Sequence, residues 1–185
     1  VVAAVSRKVW PDRDLIGDPD FVAVPYDKLL DSSLASSRAA EIRRDDIKSG
    51  VEAKIDDFPH TCNVSIIDRS GNFVSLTATQ GAQFGSGVVI EGLGLVLGHG
   101  MSRFEYSKPN HPNAPAPGKR PCHNMAPSLI LKGGKPVAAL GLPGGTRIPT
   151  ITAQLAISLI DFGATPEQAV HATRVHSEAP GPLLV

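Results

Sequence analysis

The pattern of apolar and polar positions changes character at residue 61. Before it, Trp10-Pro11-Asp12-Arg13-Asp14-Leu15-Ile16-Gly17-Asp18-Pro19-Asp20-Phe21 interleaves proline and aspartate with short apolar stretches. Residues 1–31 therefore read as a short helix followed by a surface loop, with Trp10 and Phe21 as packing anchors. Leu34, Ala35, Ala39 and Ile42 recur at helical spacing and predict a helix from a cap at Ser32 or Ser33 to about Asp46. Residues 47–60 are polar and irregular, a linker that ends at His60-Thr61.

From Thr61 the apolar positions fall into strand-length runs. Thr61–Asp68, with Val64, Ile66 and Ile67, predicts one strand, and Phe73, Val74, Leu76 and Thr77 a second. Asp68-Arg69-Ser70-Gly71-Asn72 between them has the composition of a hairpin turn. A glycine-rich stretch, Gly81–Gly87, precedes the apolar Val88-Val89-Ile90 and Leu93–Leu97. Pro109, Pro112, Pro115, Pro117 and Pro121 mark a long loop over residues 107–121. A second hairpin joins Ser128–Leu131 to Pro136–Leu140 through Lys132-Gly133-Gly134-Lys135. Ile148, Ile151, Leu155, Leu159 and Ile160 then predict a helix that stops at Gly163. Thr165-Pro166-Glu167-Gln168 opens another, with an N-cap, a proline in the first turn and a capping-box glutamine. Pro180–Leu184 leads toward a further strand. The order of helix, strands, then helices predicts an α+β or layered α/β fold.

Composition narrows the function classes. The chain has 185 residues, 42% of them hydrophobic, with 18 basic and 18 acidic residues and no formal net charge. That length supports one sizeable core. The charge balance gives no footing for nucleic acid or an anionic membrane surface, and Arg43-Arg44 and Lys119-Arg120 are too short for a phosphate-tracking stripe. No apolar run approaches the roughly 20 residues of a membrane-spanning helix. Val1 and Val185 read as interruptions of a longer chain, so compartment stays open. Cys62 and Cys122 allow at most one disulfide, and Cys62, inside an apolar strand, reads as a buried thiol.

Two features point to chemistry. A threonine hydroxyl is a weak nucleophile unless a base lies beside it, and the α-amine of Thr61 becomes such a base once the His60–Thr61 bond is cut. Thr77-Ala78-Thr79, at the end of the partner strand, can bring a second hydroxyl next to the first. Gly144 and Gly145, in Leu140-Gly141-Leu142-Pro143-Gly144-Gly145-Thr146-Arg147, suit an oxyanion site because their N–H groups are unobstructed by side chains. His99, His111 and His123 match no compact metal-ligand spacing and read as loop or packing residues. Gly81–Gly87 lacks the lysine and following helix of a phosphate loop.

Thr61–Gly87, Leu95–Phe104, Lys119–Leu131 and Leu140–Ile148 resemble, in order and approximate spacing, the γ-glutamyltransferase (γ-glutamyltranspeptidase) family of N-terminal-nucleophile hydrolases. The resemblance implies a layered αββα sandwich, present here as a partial chain. Residues 1–60 correspond to the end of a large subunit with its linker, and residues 61–185 to a small catalytic subunit without its final strands. It also implies a zymogen that cuts itself at His60–Thr61, with Thr61 then the nucleophile, Thr79 the hydroxyl that positions it, and Gly144 and Gly145 the oxyanion glycines. No metal or cofactor is implied. The partners implied are a small γ-glutamyl or other acyl amide, glutathione-like in the family at large, and the rest of the large subunit. Both periplasmic or secreted and cytoplasmic locations are compatible.

The acyl pocket departs from the family pattern. The acid that holds glutamate's α-amine is replaced by Arg103, in Gly98-His99-Gly100-Met101-Ser102-Arg103-Phe104. The polar residue expected at Gly81 and the amide expected at Gly100 are gone. The serine pair that binds the α-carboxylate aligns with His123-Asn124. A cation where an ammonium must dock is unfavourable, so a glutaryl-like donor is expected. The plainer reading of Arg103 is a surface salt bridge to Glu105, and the alternative for the chain as a whole is a non-catalytic or unprocessed scaffold.

Overall fold

The computed structural model describes residues 1–42, 60–178 and 183–184, which form mixed helix-and-sheet structure. The described residues divide into two compact units: those within 1–42, 101–123, 175–178 and 183–184 form one, and those within 60–100 and 124–174 the other. Among the described residues no helix is long and apolar enough to cross a membrane.

The first unit opens with α1 (Val2–Val9), continues into a 3-10 turn over Trp10–Leu15, and holds α2 (Tyr26–Leu29) and α3 (Ser32–Glu41). The cap of α3 is Asp31, whose carboxylate accepts the Ser33 N–H at 2.9 Å. The two serines are therefore inside the helix, because an aspartate one residue earlier is an equally good acceptor. The helix stops at Glu41, where Ile42 turns extended (φ −83°, ψ 109°); the predicted continuation through Asp46 and the linker 47–59 lie outside the described residues. Leu34, Arg38 and Ile42 are half-buried, whereas Ala35 and Ala39 face solvent. The guanidinium of Arg38 is turned inward by a two-pronged pair with Asp12 at 2.5 and 2.8 Å. Trp10 is an anchor as expected, edge-on to His176 at 5.7 Å and covered by Arg13 at 4.8 Å. Phe21 is not: it is 47% exposed, and the cation of Lys119 lies 5.9 Å from its ring centroid. At the far end β7 (His176–Ser177) pairs antiparallel with β8 (Leu183–Leu184), and the fully buried Ser177 hydroxyl accepts from Arg7 Nε at 2.6 Å.

The second unit is built on two antiparallel hairpins. β1 (Thr61–Ile67) pairs with β2 (Phe73–Thr79) in a register that sets Thr61 opposite Thr79. The turn forms because Asp68 accepts the N–H groups of Ser70 and Asn72 while Gly71 takes a left-handed φ of 85°. β5 (Ser128–Lys132) and β6 (Lys135–Leu140) are joined through Gly133 and Gly134, both at positive φ (58° and 76°), as a two-residue hairpin requires. Between the two hairpins lies the short pair β3 (Val89–Ile90) and β4 (Leu95–Val96). α4 (Arg147–Ile160) and α5 (Pro166–His171) follow, the latter closed by the full capping box of Thr165 and Gln168. A cavity of about 380 Å³ separates Asn63, Ser65 and Ile67 of β1 from Leu155 and Leu159 of α4 and Ala169 of α5.

The β1–β2 hairpin presents its two faces unusually. Asn63, Ser75, Thr77 and Thr79 are half-buried, whereas Val64, Ile66, Val74 and Leu76 are 51–61% exposed. Cys62 shares this apolar face and is exposed, contrary to its expected burial, because none of the described residues covers it there. The polar face is instead wired inward. Asn63 Nδ2 lies 3.0–3.2 Å from Ser75 Oγ, the Leu76 carbonyl and Thr77 Oγ1, and Ser75 Oγ donates to the Leu140 carbonyl at 2.7 Å. A Cβ added to Gly141 would stand 2.0 Å from Asn63 Nδ2. Asn63 cannot yield without giving up those bonds, so Gly141→Ala is expected to lose about 1–3 kcal/mol of stability. A lowered melting temperature of the full-length protein checks this.

Candidate active site

The hairpin register makes the hydroxyl pair. Thr61 and Thr79 face each other at the open end of the ladder, both half-buried, with their Oγ1 atoms 2.9 Å apart. Thr79 Oγ1 also accepts the Gly81 N–H at 2.9 Å and lies 3.3 Å from the His60 carbonyl oxygen. A hydroxyl has one proton and two acceptor positions. With one acceptor position filled by Gly81, the arrangement that satisfies every contact has Thr79 donating to the His60 carbonyl and accepting from Thr61. That carbonyl accepts the Gln80 N–H as well, at 3.1 Å, and the His60 N–H reaches Gly81 O at 3.4 Å. Pairing thus runs one residue past Thr61, so His60 is held in the hairpin edge and is not loose linker. The sequence reading missed this contact of the Gln80 backbone with His60, since a main-chain donor leaves no residue signature.

Gly81 takes φ 81°, and a Cβ there would meet His99 at 2.8 Å. The imidazole thus lies where a side chain on residue 81 would begin, and Gly81 acts through its main chain alone. Its N–H fixes Thr79, and its carbonyl fixes His60.

Gly144 and Gly145 follow β6 and precede α4. Both have positive φ, 144° and 59°, and their carbonyls accept the Arg147 and Ile148 N–H groups at 3.1 and 3.3 Å, drawing the chain into the helix. Neither glycine's own N–H has a partner among the described residues. Asn63, two residues after Thr61, packs on Gly141. The glycine loop therefore leaves β6 against β1 in the half that begins with Thr61.

The expected acyl-pocket residues are distributed over both units. Asn124, buried at 6% exposure, belongs to the second. Arg103 and His123 belong to the first. Arg103 ends a 3-10 turn (Gly100–Arg103), and its side chain is exposed. The salt bridge to Glu105 does not form: the Glu105 carboxylate accepts from the Ser107 N–H at 2.8 Å and from its hydroxyl, and among the described residues Arg103 makes no ion pair. His123 is exposed as well, yet partial desolvation of its ring, and secondly the Arg103 charge, hold its pKa below the ordinary 6.5. Near neutral pH this leaves Arg103 as the one full cation of the pair.

Over residues 1–184 the chain matches the family model described as gamma-glutamyltranspeptidase. The chain belongs to that family. A glutathione hydrolase proenzyme of Pseudomonas aeruginosa is 38% identical over 190 residues, covering 96% of this chain and 34% of the relative. The Acylase ACY 1 proenzyme of Pseudomonas sp. (strain SE83) is also 38% identical, over 180 residues, with 96% and 32% covered. Among solved structures, cephalosporin acylase from Bacillus halodurans superposes with a TM-score of 0.77 at 28% identity, over 94% of this chain and 31% of that one. The gamma-glutamyltranspeptidase-family chain described here spans about a third of the length of the curated relatives it matches.

Proposed function

We propose that this protein is a self-processing amidohydrolase and acyltransferase of the γ-glutamyltransferase type, acting through an acyl-enzyme on Thr61. The observation that carries the reading is the Thr61–Thr79 hydroxyl pair set against the His60 carbonyl. Thr61 Oγ1 attacks that carbonyl carbon. The oxyanion that forms accepts from Thr79 Oγ1 and the Gln80 N–H, which already point at the ground-state oxygen. The C–N bond then breaks, the proton lost by Thr61 Oγ1 passes to the departing Thr61 nitrogen, which becomes a free α-amine, and His60 is left as an ester on Oγ1. Water hydrolyses the ester to a His60 carboxylate and restores the Thr61 hydroxyl, now beside its own free α-amine.

That amine, with an ordinary pKa of roughly 7.7–8.0, takes the hydroxyl proton when Thr61 attacks an amide substrate. The Gly144 and Gly145 N–H groups receive the new oxyanion, the amine product leaves with the proton, and water or an acceptor amine releases the acyl group. Thr79 remains the group that orients the nucleophile. Gly81 positions Thr79, and Arg103 with His123 and Asn124 recognises the far end of the acyl group. With a cation at Arg103, a carboxylate-bearing donor such as glutaryl is favoured over a free α-amino γ-glutamyl group. The acylases among its relatives support a donor other than γ-glutamyl.

The uncovered apolar face of β1–β2 supports a layered αββα sandwich, since Val64, Ile66, Val74 and Leu76 need a further layer over them. In that reading residues 1–60 close a large subunit and residues from Thr61 begin the small one. A mass spectrum of the full-length protein after incubation at neutral pH is expected to show two chains, the second starting at Thr61. A single intact mass would favour the unprocessed scaffold.

A further inference from the structure

Asn113 sits in the proline-rich stretch between Arg103 and His123, 8% exposed, and its side chain joins the two segments that carry them. Its Nδ2 donates to the Arg103 carbonyl at 2.7 Å, and its Oδ1 accepts the Cys122 N–H at 2.9 Å. Its main chain is equally tied. The Asn113 N–H donates to His111 Nδ1 at 3.0 Å, and its carbonyl accepts the Glu105 N–H at 2.9 Å. A side-chain amide is suited to this task because it offers a donor to one peptide group and an acceptor to another at a fixed separation.

The segment that carries His123 is braced from its other side too. Asp18, 1% exposed at its side chain, accepts from the Arg120 N–H at 2.8 Å and from its guanidinium at 2.5 and 3.0 Å. Cys122 Sγ donates to the Ile16 carbonyl at 3.3 Å. Among the described residues Arg103 has no comparable brace: its carbonyl is held by Asn113, while the next residue, Phe104, is buried at 5% exposure.

We propose that Asn113 is a positioning residue of the acyl pocket, fixing the Arg103 main chain against the Cys122–His123 main chain so that one carboxylate meets both side chains. The inference rests on the assignment of Arg103 and His123 to acyl recognition. That the Arg103 charge depresses the His123 pKa fits two side chains held near each other. A purely structural Asn113 would affect melting and leave donor recognition alone.

The test is a double-mutant cycle on the full-length, self-processed protein, with glutaryl-p-nitroanilide as donor. Asn113→Ala leaves room for water to serve the two stranded peptide groups. It is expected to raise KM about 10-fold with kcat changed far less, as a displaced binding group does. In an Arg103→Ala background the same substitution is expected to have no further effect on KM, because the group it positions is gone. An unchanged KM for Asn113→Ala, or an equal rise in both backgrounds, overturns the positioning role while leaving the Arg103 reading intact. An unchanged KM for Arg103→Ala itself overturns that reading and the inference with it. If Asn113→Ala does not fold, Asn113→Asp carries the same cycle, because it keeps an acceptor for the Cys122 N–H and removes the donor to the Arg103 carbonyl.

Discussion

Thr61→Ala is expected to leave the chain uncut and to lower amide turnover by at least about 10⁴-fold, the scale on which removal of a covalent nucleophile is felt. The substitution deletes the attacking oxygen in both reactions at once. It leaves the β1–β2 ladder, whose bonds are main-chain, and the contacts of Thr79 to Gly81 and His60 in place. Thr61→Ser keeps the oxygen and loses only a methyl group, so some self-cleavage and some turnover should survive. The pair of variants separates chemistry from folding. A Thr61→Ala protein with native melting, an intact His60–Thr61 bond and no turnover supports the covalent route. An intact Thr61→Ala protein that still hydrolyses acyl amides would place the nucleophile elsewhere, and the hydroxyl pair at 2.9 Å would then be only a strand contact.

The parts of the fold that were legible in the sequence are those governed by local chemistry. Asp68 and Gly71 specify one hairpin and Gly133-Gly134 the other. Thr165 and Gln168 specify the start of α5. From the hairpin register the Thr61–Thr79 pairing follows directly, and so the central pair of the candidate site was readable too.

What escaped is set by long-range packing. Alternation within β1 gives two faces but does not say which one is covered. Apolar side chains ordinarily turn inward, yet in this hairpin the Asn63–Ser75–Thr77 face does so, because its amide and hydroxyl groups satisfy one another and the Leu140 carbonyl. Cys62 was misjudged for the same reason. Asp31 displaced the serines as helix cap, since several acceptors in a row leave the choice to the turn geometry. The contacts of the Gln80 N–H and of Asn113 depend on where loops bring main-chain groups, and no periodicity encodes that.

Reversing one charge should reverse the donor preference. A γ-glutamyl group differs from a glutaryl group only by its α-ammonium, and in the proposed pocket Arg103 would repel that ammonium. At about 4 Å and an effective dielectric near 20 a unit-charge contact is worth about 4 kcal/mol, and solvent at an exposed side chain leaves a smaller part of it. Arg103→Asp is therefore expected to shift the ratio of kcat/KM for γ-glutamyl- over glutaryl-p-nitroanilide by about 10²-fold or more, from a glutaryl preference toward a γ-glutamyl one. A second effect has the same sign. The Arg103 charge is one of the two causes holding the His123 pKa down, so replacing it with a carboxylate favours the imidazolium. A cation at His123 then faces the α-carboxylate while the introduced carboxylate faces the ammonium, the polarity that a free amino acid end requires. Steady-state kinetics with the two p-nitroanilides decide the matter. A wild type that already prefers the γ-glutamyl donor, or a ratio that Arg103→Asp does not move, would show that residue 103 does not read the acyl group.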